Sequence, residues 1–310
     1  MNIIFMGNPQ FAVPSLELLV KNGICIKAVV TDPPKKSGRG RSEREQPVAE
    51  IANQFGLPLL QPTSLSDPNF IDSIRSINPD LVLVVAFKIL PSKLLSIPTI
   101  GSVNLHASLL PAYRGAAPIQ WSLMNGDTET GLTTFFLQPK IDTGNILFQG
   151  KIEILPKDDY ESLSKKMSAM GSELLLKTVN AISDGPIKQV PQDESSVSQA
   201  PKIFPEMGHI DWNQSADSIS NLIRGLSPKP GAFSNWNNRK IKFFNPSFES
   251  TESAEPGKIH ETENGLLKIG TSSGILVIRE VQIEGKKRMP VADFLRGSAM
   301  KPGDEFRSIR

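Results

Sequence analysis

Residues 80–87 read Asp-Leu-Val-Leu-Val-Val-Ala-Phe, and every residue from Leu81 to Phe87 is apolar. A strand with one face in water alternates apolar and polar side chains. An unbroken apolar run is the pattern of a strand covered on both faces, as in a parallel sheet flanked by helices. Upstream, Asn2 to Met6 reads as a second buried strand, followed by Gly7-Asn8-Pro9 and a helical period from Phe11 to Lys21 that stops at Gly23. Ile24 to Val30 is a further strand, and helix-like stretches near 47–55 and 69–76 complete a β/α alternation. Such alternation predicts an open, doubly wound α/β sheet of Rossmann-like type. Gly7 does not make it a dinucleotide site, because Gly-Asn-Pro-Gln-Phe-Ala offers one glycine where the phosphate-binding turn needs three.

The chain has 310 residues, 39% hydrophobic and 21% charged, which describes a globular protein long enough for two domains. Its character changes after residue 185, where DGPIKQVPQDESSVSQAPKIFPEM is rich in Pro, Ser, Gln and charge. Residues 189–206 therefore read as a linker between a first domain, 1–188, and a second, 207–310. In the second, KIKFF, GLLKIG and GILVIREVQI are separated by turn residues and preceded by a helix-like Ser215 to Arg224, which suggests a small β-rich domain. One cysteine excludes a disulfide framework, and Cys25, among apolar neighbours, is expected to be buried. Three histidines argue against a multi-His metal centre, and no metal is expected. No segment approaches the roughly 20 apolar residues of a membrane span. With a strand beginning at Asn2 there is no room for a signal peptide, so a cytoplasmic protein is expected, and a monomer, since no surface stripe calls for a partner.

Between 101 and 145 the chain supplies chemistry. Asn104 and His106 lie two apart in a strand-like run, so their side chains share one face. Asp142 follows in a Pro-Lys-Ile-Asp-Thr-Gly turn after another strand-like run, Thr133 to Leu137. An amide, an imidazole and a carboxylate at neighbouring strand ends can polarise a carbonyl and manage a proton, which suits acyl transfer. A structural histidine beside an ordinary turn would carry the same residues.

The stretch NLHASLLPAYRGAAPIQWSLMNGDTETGLTTF (104–135) resembles the signature of the folate-dependent formyltransferases, in the branch whose acceptor is aminoacylated tRNA. So do IIFMGNPQFAVPSLELL at the start, TDPPKKSGRGR, the APKI…IDW segment and QIEGKKRM near the end. The resemblance covers nearly the whole chain. It implies that the small second domain is an oligonucleotide-binding type (OB-like) β-barrel. It also implies an enzyme that moves a formyl group from 10-formyltetrahydrofolate to the α-amino group of methionyl initiator tRNA. Asn104 and His106 would then stabilise the developing oxyanion, with Asp142 orienting the imidazole or accepting the amine's proton. By the same resemblance Ser108, Leu109, Leu110 and Pro111 border the pterin pocket, flanked by the segments of Phe87 and Ile141. Two segments depart from the family pattern: Ala86-Phe87-Lys88-Ile89-Leu90-Pro91 is short and lacks a glycine, and Lys140 and Asn145 flank Ile141-Asp142-Thr143-Gly144.

Asp32 to Glu45 has no apolar residue except two prolines, so it cannot pack into a core. It is either a solvated loop or a phosphate-binding one. The resemblance implies that its Lys35, Lys36, Arg39 and Arg41 meet the tRNA acceptor stem. Two further clusters, Arg239, Lys240 and Lys242, and Lys286, Lys287 and Arg288, would touch tRNA phosphates. A formyltransferase acting on a nucleotide-linked amino sugar would share Asn104, His106 and Asp142, and the basic SGRGR loop and the Lys286-Lys287-Arg288 cluster favour tRNA.

Overall fold

The computed structural model describes residues 1–37, 42–250, 255–262 and 265–306, so Arg39 and Arg41 lie outside the described residues. The chain forms two compact units: Met1–Gly115, Thr130–Ile152 and Ser164–Ala200 in one, and Ala116–Glu129, Glu153–Leu163 and the chain from Pro201 onward in the other.

The strands of the first half are β1 (Ile3–Gly7), β2 (Ile26–Val30), β3 (Lys35–Ser37), β4 (Ser42–Arg44), β5 (Leu59–Leu60), β6 (Leu81–Val85), β7 (Gly101–His106), β8 (Arg114–Gly115), β9 (Glu129–Phe136) and β10 (Ile146–Glu153). The helices among them are α1 (Val13–Lys21), α2 (Pro47–Gln54), α3 (Pro68–Ile77), α4 (Ser92–Leu95) and α5 (Pro118–Met124), with α6 (Tyr160–Asp184) and β11 (Gln199–Ala200) after them. The first unit is built on a seven-stranded sheet of order β10-β9-β7-β6-β1-β2-β5. Strands β5, β2, β1, β6 and β7 are parallel, and β9 runs antiparallel to β7.

All five residues of β6 are buried, as its composition requires. Period two sends Val82 and Val84, with Ile4 and Met6 of β1, toward Phe70, Ile71 and Ile74 of α3. Each such buried aliphatic contributes roughly 1.5–3 kcal/mol. From Ser164 onward α6 belongs to the first unit, where Ser168 Oγ donates to the Phe11 carbonyl at 2.6 Å and Thr178 meets Thr134 at 2.9 Å. Gly7 is a packing glycine: a Cβ there would lie 2.9 Å from the Val85 carbonyl oxygen.

Two expectations change. Cys25 is exposed, because β2 begins only at Ile26 and Cys25 sits at its entry, giving its carbonyl to the Ile3 N–H. The segment expected as an unstructured loop forms an antiparallel pair, Lys35 opposite Arg44 and Ser37 opposite Ser42. Backbone pairing asks nothing of side-chain hydropathy, so polarity did not forbid it.

In the second unit α7 (Ala216–Leu226) lays Ile219, Ile223 and Leu226 on a core shared with an antiparallel sheet. Its strands are β12 (Phe233–Trp236), β13 (Arg239–Glu249), β14 (Ile259–Glu261), β15 (Leu267–Gly270), β16 (Ile275–Ile283) and β17 (Met289–Pro290), followed by α8 (Val291–Arg296). The order β12-β13-β16-β15-β14, with β17 on β16, curls into a half-barrel. Trp212, Phe243 and Phe306 meet at its centre with ring centroids 5.3–5.9 Å apart.

Candidate active site

Asn104 and His106 lie on β7, in the register that sequence periodicity predicts. His106 is buried and its Nε2 stands 2.9 Å from the Tyr113 carbonyl oxygen. A carbonyl only accepts, so Nε2 carries the proton and the free lone pair of a neutral ring is on Nδ1. Nδ1 faces Asp142 Oδ2 at 3.8 Å. That is ion-pair range but longer than a hydrogen bond. The ring is therefore oriented by Tyr113, whose φ of 60° turns its carbonyl inward, and by an edge-on contact with Phe135. The half-buried Asn104 side chain has no hydrogen-bond partner among the described residues and lines a pocket with Asp142.

Asp142 reaches this point against the direction of its strand. Because β9 is antiparallel to β7, its last residue, Phe136, stands opposite Val103 rather than opposite His106. The turn that follows must fold back, and it is fastened when it does. Phe136 N–H donates to the Asn145 carbonyl at 3.1 Å. Gly144 lies so close beneath that a Cβ would fall 1.6 Å from the Phe136 oxygen. Gln192 Nε2 donates to the carbonyls of Asp142 and Gly144, each at 2.8 Å. Gln192 Oε1 in turn accepts from Arg114 Nε and Nη2 at 3.0 and 2.8 Å. Arg114, buried, forks onto Glu194 at 3.1 and 2.7 Å, and hydrogen bonding to that guanidinium lowers the Glu194 pKa. Gly115 N–H donates to Asp142 Oδ2 at 2.9 Å, aiming the carboxylate.

The part of the linker stretch up to Ala200 is thus tied down along the first unit, with Val190 bridging Ile146 and β11 pairing with β8. Arg114, Gln192, Glu194 and Tyr113 were not singled out from sequence. The available signal was an arginine followed by apolar residues and a Gln-Asp-Glu run able to partner it.

A pocket of about 90 Å³ sits against Asn104 and Asp142, with apolar walls from Val84, Phe87, Leu90 and Leu137. It admits part of a ligand rather than a whole one. The exposed Ile89 and Ile141 stand at its edge. Ser108, Leu109, Leu110 and Pro111 do not line it. The Ser108 hydroxyl donates to the Ala112 carbonyl at 2.6 Å, while Leu110 N–H donates to Thr133 and its carbonyl accepts from Gln149. Lys88, also on the pocket wall, pairs at 2.6 Å with Asp32, which is only 5% exposed and holds Lys35 at 3.0 Å on its other oxygen. Burial alone would raise the Asp32 pKa; hydrogen bonds to the two ammonium groups outweigh it and bring the pKa below its ordinary value. Among the described residues no three His, Cys, Asp or Glu side chains gather as a metal site.

The formyl transferase family pattern matches residues 1–179, and its C-terminal domain pattern matches residues 202–299. A methionyl-tRNA formyltransferase of Citrifermentans bemidjiense is 42% identical over 304 residues, covering 98% of this chain and 95% of that protein. The one from Thermodesulfovibrio yellowstonii is 44% identical over 306 residues, covering 98% of each. The chain belongs to the methionyl-tRNA formyltransferase family. Solved structures share its fold. WlaRD, a sugar 3N-formyl transferase with dTDP and 5-N-formyl-THF, matches with TM-score 0.68 at 20% identity over 93% of this chain and 99% of that one. HypX from Aquifex aeolicus in complex with tetrahydrofolic acid gives 0.65 at 18% over 99% of this chain, which spans 50% of HypX.

In this member of the methionyl-tRNA formyltransferase family the cations expected to meet tRNA fall into two groups. Lys35 is paired with Asp32, and Arg288 pairs with Glu280 while lying 4.3 Å from the Phe244 ring centroid. Lys36 lies on β3. Lys286 and Lys287 are exposed, without a charged partner among the described residues. Trp121, on α5, is half-buried and donates to the Pro201 carbonyl at 2.8 Å.

Proposed function

We propose that this protein transfers the formyl group of 10-formyltetrahydrofolate to the α-amino group of methionine on initiator tRNA, using Asn104, His106 and Asp142. The observation that carries the reading is the unpartnered Asn104 amide lining one pocket with Asp142, whose Oδ2 lies 3.8 Å from Nδ1 of His106. Its flat apolar walls, Phe87 and Leu137 among them, suit the edge of an aromatic ring, and Asn104 and Asp142 supply polar contacts there.

The acceptor amine attacks the formyl carbon. Asn104 donates to the formyl oxygen as negative charge gathers on it, an effect worth a few kcal/mol in such sites. A nitrogen at ordinary hydrogen-bond distance from both His106 Nδ1 and Asp142 Oδ2 bridges their 3.8 Å gap. His106 Nδ1 takes the proton from the attacking amine, and Asp142 stabilises the resulting imidazolium. The same nitrogen returns that proton to the donor's departing N10 as its bond to the formyl carbon breaks. Tyr113 keeps Nε2 occupied, so the proton traffic runs through Nδ1.

Phe87 and Ile141 flank the donor, and Ser108 to Pro111 support the strand end beneath it. Lys35, Lys36, Arg39 and Arg41 engage the acceptor stem, with Lys286, Lys287 and Arg288 on phosphates farther along. In this division of labour residues 1–188 perform the chemistry, 207–310 hold tRNA and 189–206 join them, in a cytoplasmic monomer. The deciding experiment offers methionyl initiator tRNA and a UDP-amino-sugar together with 10-formyltetrahydrofolate. Formylation of the tRNA alone is expected; formylation of the sugar alone would overturn the acceptor.

A further inference from the structure

The second unit contains a larger pocket, about 440 Å³, that the chemistry above does not use. Its apolar wall comprises Trp236, Ile241, Ile283, Met289 and Phe294, and the exposed Asn237, Arg239 and Asp293, the last neutralised by Arg296, give it a polar edge. The volume lies within the range of small-ligand sites. Trp236 is half-buried, packed on the core on one side. Asn237 and Asn238 both have positive φ, 47° and 60°, and form the two-residue turn that sets Trp236 opposite Arg239.

The cations around this pocket differ from the others. In the two basic clusters, Lys242 donates to the Pro230 carbonyl, Lys240 lies over the Phe233 ring, and Arg288 is held by Glu280. The charged groups of Arg239, Lys286 and Lys287 have no partner among the described residues. These three lie at one end of the sheet. Strand β13 pairs with β16 as far as Ile241 opposite Ile283, and Glu284 N–H donates to the Lys240 carbonyl at 3.0 Å, so the turn bearing Lys286 and Lys287 begins beside the one bearing Arg239. Met289, just after that turn, is already pocket wall.

We propose that this pocket receives one unpaired nucleobase of the tRNA, stacked on Trp236, with the adjoining phosphates on Arg239, Lys286 and Lys287. The inference rests on tRNA being the acceptor. An indole face and a thioether suit a flat polarisable ring. The Asn237 amide offers a donor and an acceptor to a base edge, and unpaired cations on one side suit a chain with a phosphate at every nucleotide. An acidic peptide would satisfy the cations but leave the aromatic wall without a flat partner.

The test uses the full-length protein and transcribed initiator tRNA over a salt series. Trp236→Leu should weaken binding about tenfold, the scale of one base–aromatic stack, without changing the slope of log affinity against log salt. Trp236→Phe should bind nearly as the unaltered protein does. Lys286→Ala with Lys287→Ala should reduce the slope by about 2. Saturating tRNA should quench tryptophan emission in the unaltered protein and lose most of that quench in Trp236→Phe, which decides the matter if Trp236→Leu does not fold. Equal affinity of Trp236→Leu and an undiminished quench in Trp236→Phe would overturn the site. Formylation of methionyl-tRNA is assayed alongside. A protein that formylates tRNA but ignores both Trp236 changes loses only this inference, whereas one that neither binds nor formylates tRNA loses the proposed function as well.

Discussion

His106 has one nitrogen committed to a backbone carbonyl, which leaves a single nitrogen for proton transfer. Two substitutions probe the groups around it. Asn104→Ala removes a donor with no structural partner, so stability should hold and kcat should fall about 10²–10³-fold with tRNA affinity unchanged, read by single-turnover formylation. Asp142→Asn keeps an oxygen for the Gly115 N–H but removes the charge opposite Nδ1. Turnover should fall about 100-fold or more at an unaltered melting temperature. Asp32 makes a pH prediction. Its folded pKa lies below the ordinary 3.8. A depressed carboxyl contributes stability that is present above the unfolded pKa, about 3.9, and is lost as pH falls through the lower folded value. Asp32→Asn should therefore flatten the acid limb of a melting-temperature profile and cost about 1 kcal/mol at neutral pH, modest because Lys88 and Lys35 are largely in water.

The turn from Leu137 to Asn145 is the element on which the site depends. Its local fastenings are the Phe136–Asn145 pairing, the close seat of Gly144 and the Thr143 hydroxyl donating to the Lys140 carbonyl. From far along the chain it is held by Gln192, fixed by Arg114 and through it by Glu194. Gln192→Leu leaves two carbonyls and a buried guanidinium short of partners and should cost about 2 kcal/mol in thermal unfolding. Because the turn carries Asp142, kcat should fall more than KM rises. A variant that loses stability but keeps kcat would show that the turn holds its geometry without the strap. Strand β6 was legible from sequence because its burial is written in every residue. The β3–β4 pair and the fastened linker were not, since they are made by backbone groups and by polar side chains that also suit water.

Across the whole molecule, the second unit draws Ala116–Glu129 and Glu153–Leu163 from within the span of the first, as well as the residues from Pro201 onward. Its aromatic centre makes a direct prediction. Trp212 is 1% exposed, touches Phe243 and Phe306, and donates its indole N–H to Ser234. Trp212→Ala should destabilise that unit by about 3–5 kcal/mol, visible as a lower unfolding temperature and as tRNA binding lost before formyl-donor binding. The sequence by itself determined the β/α alternation, the buried strand at the sheet's centre, the shared face of Asn104 and His106, and the family. These are periodic or contiguous properties, set by local backbone geometry. Tertiary structure alone decided which nitrogen of His106 is free, how Asp142 returns to it, what holds Arg114, and which cations stay unpaired. Those outcomes join polar residues as many as 80 positions apart, such as Arg114 and Glu194. Polar groups carry no periodic signal of their partner, and only the path of the chain brings them within hydrogen-bond range.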